Sequence, residues 1–146
     1  MSALARLAEL GIELPEVAPP VAAYIPAVRT GNLVYTSGQV ARGLSGKVGA
    51  EVSEADAKAA ARGCALNALA AVDALVGLDA VVRVVKVVGF VASAPGFTGQ
   101  PGVINGASEL LNEVFGEAGA HARSAVGVAE LPLGVPVEVE MIVEVR

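Results

Sequence analysis

Two charged residues in the last quarter of the chain, Arg123 and Glu138, are of types that suit small-molecule chemistry. A guanidinium is a planar fork that matches the two oxygens of a carboxylate. A side-chain carboxylate nearby can hold and activate a water molecule. Residues 137–145 alternate: Val137, Val139, Met141, Val143 and Val145 are apolar, against Glu138, Glu140, Ile142 and Glu144. That period of two predicts a strand with one core face and one carboxylate-bearing face. The spacing predicts a final hairpin pairing about 122–130 with 136–145 around Pro132-Leu133-Gly134. In that register Gly127 lies opposite Glu138, Ala125 opposite Glu140 and Arg123 opposite Ile142. The small side chains of Ala125 and Gly127 would floor a trough with a guanidinium at one end and a carboxylate at the other. A plain cross-strand Arg–Glu pair on a wet face, worth roughly 0.2–1 kcal/mol, has the same pattern.

Other reactive residue types carry less. His121 is the sole histidine, two residues before Arg123; it reads as a proton-transfer assistant or as a solvated strand-end residue, and alone it makes no metal site. Cys64 falls on an apolar helical stripe and reads as a packing thiol. Ser37 has no His–Asp relay and, with Gly38, is expected to shape a turn that presents backbone groups. Phe97 sits in a Pro/Gly loop, as a lid over a ligand or as its packing anchor.

The elements that must position these residues are legible in outline. Residues 2–10 read as a short amphipathic helix with Leu4, Leu7 and Ala8 on one face and Gly11 as its stop. Residues 15–20 are Pro-rich and extended. Residues 22–29 and 33–37 read as strands about the turn Thr30-Gly31-Asn32, and 38–52 as irregular. A helix is predicted from about Ser53 to Val76, with Ser53 and Asp56 as a capping box, a stripe of Ala57, Ala61, Cys64, Ala68, Val72 and Leu75, and Gly77 as its end. Residues 80–93 are apolar in both alternation classes, which predicts a strand covered on both faces. A loop over 94–102 and a second helix over about 103–116 lead to the final hairpin. The order β-β-α-β-α-β-β predicts an α+β sandwich, helices on one face of a mixed sheet. The other sheet face then needs a cover, and a second subunit is the simplest one.

Composition narrows the function classes. At 146 residues the prior is one domain, 1–146, with 1–19 as an N-terminal helix and Pro-rich extension. Hydrophobic residues at 54% against 17% charged exclude a disordered chain. The net charge of −5, with Lys and Arg scattered, disfavours a nucleic-acid partner. One cysteine forbids an internal disulfide and a multi-Cys zinc site. Residues 1–11 carry Glu9 and no uninterrupted apolar stretch, so a cytoplasmic location is expected. No apolar run reaches the ~18 residues of a membrane helix, and no membrane association is expected.

The segment Gly31-Asn32-Leu33-Val34-Tyr35-Thr36-Ser37-Gly38-Gln39 resembles the early G-N-x-x-x-x-S-G-Q motif of the Rid family (YjgF/YER057c/UK114), the reactive-intermediate deaminases. Ala122-Arg123-Ser124, Val126, Val128-Ala129, Leu131-Pro132 and Val137-Glu138-Val139-Glu140 are similar to the family's late motif, at the right spacing. The likeness runs from about residue 20 to the end. It implies a chorismate-mutase-like α+β fold and a homotrimer whose sheets form an inner barrel, with clefts between subunits. It also implies hydrolysis of reactive 2-enamine and 2-imino acids to 2-keto acids and ammonia, with no cofactor. On that resemblance Arg123 grips the substrate carboxylate, Glu138 orients the attacking water, and Tyr24, Gly38, Asn105 and Ala125 fall at substrate-binding positions. A non-catalytic trimeric binding module for small carboxylate metabolites is the alternative. The chain departs from the family's pattern at Ala125, where many active members have cysteine, at Pro26-Ala27, in the longer 93–102 segment and in the added N-terminal helix.

Overall fold

The structure, a computed structural model, describes residues 1–17, 19 and 22–146. Of the Pro-rich stretch expected to be extended, Ala18 and Pro20 lie outside the described residues. Helix α1 spans Ala3–Glu9, and Ser2 Oγ accepts from Ala5 N–H at its start. Leu7 is buried, and Arg6 Nε donates to Glu113 O at 2.9 Å, which docks α1 on a later helix.

Strands β1 (Ala27–Thr30) and β2 (Leu33–Thr36) form an antiparallel hairpin. Gly31 takes φ 57° at its tip, a conformation that favours glycine. β1 starts five residues later than the apolar pattern suggested. Pro26 has no N–H to give a ladder, so pairing begins just after it. A two-residue strand, β3 (Gln39–Val40), sits inside the segment expected to be irregular.

Helix α2 spans Glu54–Val76. Its cap forms as expected on the Ser53 side, where Oγ accepts from Asp56 N–H at 3.1 Å. Ala57, Ala61, Cys64, Ala68 and Val72 are buried. Leu75, predicted on the same stripe, is instead 44% exposed, and Val76, four residues after Val72, packs against the core in its place. α2 is long and apolar enough to cross a bilayer by length and composition. Here its apolar side is core, while Lys58 and Arg62 pair with Glu109 and Glu113. Helix α3 spans Gln100–Phe115, starting three residues before the expected position. Pro101 lies in its first turn, where no N–H is required. The two helices meet at Gly106, where any Cβ would overlap the carbonyl of Lys58.

Both helices cover one face of a mixed sheet of order β1-β2-β6-β4-β5, with β3 also on β6. Here β4 is Val81–Ala92, β5 Ala122–Val128 and β6 Val137–Val145. The predicted terminal hairpin does not form. β5 pairs parallel with β4, and β6 pairs antiparallel with the other edge of β4. The β4–α3–β5 segment is a crossover that returns its strand beside the one it left. The connection after β5 holds a short helical turn, Pro132–Gly134, with Leu133 at φ 62°, and carries the chain past β4. Of the two apolar faces of β4, Val84, Val87 and Val91 are buried under the helices, whereas Val88 and Phe90 lie on the opposite face, which this chain leaves only partly covered, so the expected cover on both faces is not met within one chain.

Candidate functional site

The new strand order changes what a single chain brings together. On β5, Arg123 is in register with Val87, and across β4 Val87 is in register with Met141. Val87 and Met141 are buried on the helix side. Arg123 therefore points to the helix face, and its contacts agree. Its Nη1 donates to Asn105 Oδ1 at 2.8 Å and Ser108 Oγ at 3.2 Å, and its Nη2 to Pro101 O at 3.3 Å. Three of the five guanidinium N–H donors are thus held by α3, leaving two, the number a carboxylate fork accepts. Ala125 and Gly127 continue the same face of the sheet-edge strand β5. Ala125 packs against the core and the side chains of Gln100 and Ser93 lie over Gly127, so the expected trough of small residues is filled on this side, and Asn105 meets Arg123 from α3.

Glu138 does not close that trough. It pairs across β4 with Phe90, which is in register with Val126. Two strand spacings and three residues of rise separate its α-carbon from that of Arg123 by about 14 Å. The odd residues of β6 are buried under the helices, so Glu138 projects from the opposite face. The expected Arg123–Glu138 trough within one hairpin is corrected accordingly.

Glu138 belongs instead to a cavity of ≈ 300 Å³ lined by Tyr24, Gly38, Gln39, Arg42, Asn67 and others. Gly38 lies directly against the Glu138 carboxylate, which would collide with any Cβ there. The turn that carries Gly38 is fixed by Ser37, whose Oγ donates to Ile25 O at 2.6 Å and whose N–H donates to Pro26 O. These bonds also set the segment bearing Tyr24 beside Gly38. Asn67 Nδ2 donates to Val40 O at 2.8 Å, tying α2 to β3 at the cavity wall. Burial, and secondarily the charge of Glu140, raise the Glu138 carboxyl above its ordinary range. Arg42 lines the same cavity without an ion pair among the described residues.

The six expected residues thus fall in two groups. Tyr24, Gly38 and Glu138 share the cavity, and Arg123, Asn105 and Ala125 lie along the contact of α3 with β5. Sequence reading missed Ser108, Arg42 and Asn67. Ser108 stands three residues after Asn105, one helical turn on, which is the one signal that could have found it. His121, read as an assistant or a solvated residue, is half-buried and bonded to Ser108. Phe97 is partly buried against the core, its ring beside Gly49 and Gly99, and so packs its loop down. Among the described residues, no three His, Cys, Asp or Glu side chains group closely enough to hold a metal ion.

Comparison with known proteins shows what the chain as a whole is similar to. The family model described as Endoribonuclease L-PSP matches residues 15–145. Protein TCP17 of Trypanosoma cruzi is 46% identical, over 97% of this chain and 93% of that protein. The crystal structure of Atu1372 from Agrobacterium tumefaciens, a protein of unknown function, has a TM-score of 0.90 at 46% identity, covering 99% of this chain and 92% of that one. The YjgF gene product of E. coli has a TM-score of 0.65 at 30% identity, over 90% and 94% of the two chains. E. coli TdcF, solved with bound serine, has a TM-score of 0.63 at 26% identity, over 90% and 94%.

Proposed function

The chain belongs to the Endoribonuclease L-PSP (YjgF) family, and from that premise we propose that it hydrolyses reactive 2-enamine and 2-imino acids to 2-keto acids and ammonia. The observation that carries this reading is the state of Arg123. Its guanidinium is held by α3 with two N–H donors to spare, as a carboxylate receptor requires. Glu138, set in a cavity against Gly38, supplies a carboxylate to orient water. Serine bound to TdcF supports a small amino-acid-like ligand for a family member of this architecture.

The chemistry needs no electron transfer. The enamine tautomerises to the imine, and Arg123 binds its carboxylate. Water held by Glu138 adds to the imine carbon, forming a C–O bond while the C=N pair moves onto nitrogen. Glu138 takes the water proton and returns it to the amine. The hydroxyl so formed then gives up its proton, carried through Glu138 to the amino nitrogen, as the C–N pair moves onto nitrogen, so that the carbonyl forms and ammonia leaves.

One chain separates the two groups by strand β4, so the reading includes a homotrimer in which one subunit's Glu138 cavity meets the α3–β5 edge that carries a neighbour's Arg123. The uncovered sheet face supports it. Val28, Tyr35 and Val126 on that face are each more than 40% exposed, an apolar surface suited to another subunit. A ribonuclease reading is disfavoured by the net charge of −5 and the scattered basic residues.

The test is 2-keto acid release from enzymatically generated 2-imino acids, comparing wild type with Arg123→Ala and Glu138→Ala. Acceleration that disappears in Arg123→Ala with the oligomer intact supports the deaminase. No acceleration across a broad panel rejects it and leaves a carboxylate-binding module.

A further inference from the structure

A chain of hydrogen bonds runs behind Arg123. His121 Nδ1 faces Gly119 O, its Nε2 lies 2.8 Å from Ser108 Oγ, and Ser108 Oγ lies 3.2 Å from Arg123 Nη1. The donor inventory allows one assignment with neutral imidazole. A carbonyl only accepts, so Nδ1 must carry the proton it donates to Gly119 O. Nε2 is then bare and accepts the Ser108 hydroxyl proton. That turns a Ser108 lone pair toward Arg123, which only donates. The opposite tautomer would set a bare Nδ1 against a carbonyl oxygen and leave Ser108 with no acceptor at the ring.

We propose that His121, acting through the Ser108 hydroxyl, is a positioning residue that orients Arg123 for carboxylate binding. Asn105 Oδ1 fixes one Nη1 proton and Ser108 Oγ the other. With both Nη1 protons tied, rotation about the Cζ–Nη1 bond is blocked and the guanidinium plane is held, leaving Nε–H and one Nη2–H free. Without His121, the Ser108 hydroxyl proton is free to swing toward the guanidinium, where it repels instead of accepting. Arg123 then keeps its charge and loses its aim. His121 touches neither substrate nor the reacting atoms.

The test combines spectroscopy and kinetics. His121 is the only histidine, so its ring nitrogens give one unambiguous pair of ¹⁵N resonances. Near pH 7.5, Nδ1 is expected protonated and Nε2 bare; a protonated Nε2 with bare Nδ1 overturns the proposal. The Arg123 Nη resonances are expected to be separate in wild type and to merge in Ser108→Ala and His121→Ala as rotation is freed. His121→Gln, whose amide oxygen can accept from Ser108, is expected to restore the separation. Indifference of the Arg123 signals to both alanine variants also overturns it. The kinetic arm rests on the proposed role of Arg123. There KM for an imino acid is expected to rise ~5–20-fold in both alanine variants, as for loss of one hydrogen bond to a charged group, while kcat stays within about twofold. An unchanged KM in an active enzyme counts against the positioning role. A wild type without deaminase activity rejects the deaminase reading alone, and the ¹⁵N measurements still decide this one.

Discussion

At the residue scale, the role proposed for Glu138 ties activity to stability. Burial raises its carboxyl, and the charged Glu140 adds to the shift. The folded state therefore holds the Glu138 proton at pH values where the unfolded chain has released it. Stability falls as pH rises through that window, which lies between the ordinary carboxylate value and the raised one. The water orientation proposed for Glu138 needs the ionised form, so activity is expected to move the other way and fall as pH drops through the raised value. Glu138→Gln removes the charge but keeps the shape. It is expected to raise the melting temperature at neutral pH while lowering kcat by at least ~10²-fold, the usual scale for a lost general base. A thermal melt beside a keto-acid assay checks both, and a lowered melting temperature would mean that the buried charge is compensated by an unseen partner. Arg123→Lys is expected to behave like Arg123→Ala in KM, because an ammonium cannot replace a fork anchored on Asn105 and Ser108.

At the scale of elements, the structure depends on close approaches that leave no room for a methyl group. Gly106→Ala is expected to destabilise the fold by about 1–3 kcal/mol through overpacking against the Lys58 carbonyl, read as a lower urea midpoint at unchanged slope. Ser53→Ala is expected to cost about 1 kcal/mol through loss of the α2 cap. Much of this level was legible in the sequence. The Ser53 cap and the Ala57 to Val72 stripe mark α2 to within one residue, and the alternation of 137–145 marks β6. Strand partners were not legible. Period-two alternation reports which face is buried and says nothing about which neighbour supplies the hydrogen bonds. Pro132-Leu133-Gly134 therefore read as a hairpin tip, although β4 lies between β5 and β6. The same gap hid the split of the site. The resemblance picks out Arg123, Glu138, Tyr24, Gly38, Asn105 and Ala125 as candidates, but their division into two groups follows from the strand order and register.

At the scale of the whole molecule, the split site and the exposed sheet face make one joint prediction. Val126→Glu puts a charge on that face beside Phe90 and is expected to lower the oligomeric state, measured by light scattering, and to remove activity with it. Mixing Arg123→Ala with Glu138→Ala subunits after partial denaturation is expected to restore part of the activity, since some clefts then pair two intact halves. No recovery in mixtures confirmed as hetero-oligomers would place the working site within one chain. A different use follows from the thiol of Cys64. It has no exposed surface, its Sγ faces Val137 O, and burial pushes it up to about 12. A disulfide-exchange reagent can reach it only when α2 lifts from the sheet, so its labelling rate is a built-in clock for opening of the core, legible without any introduced probe.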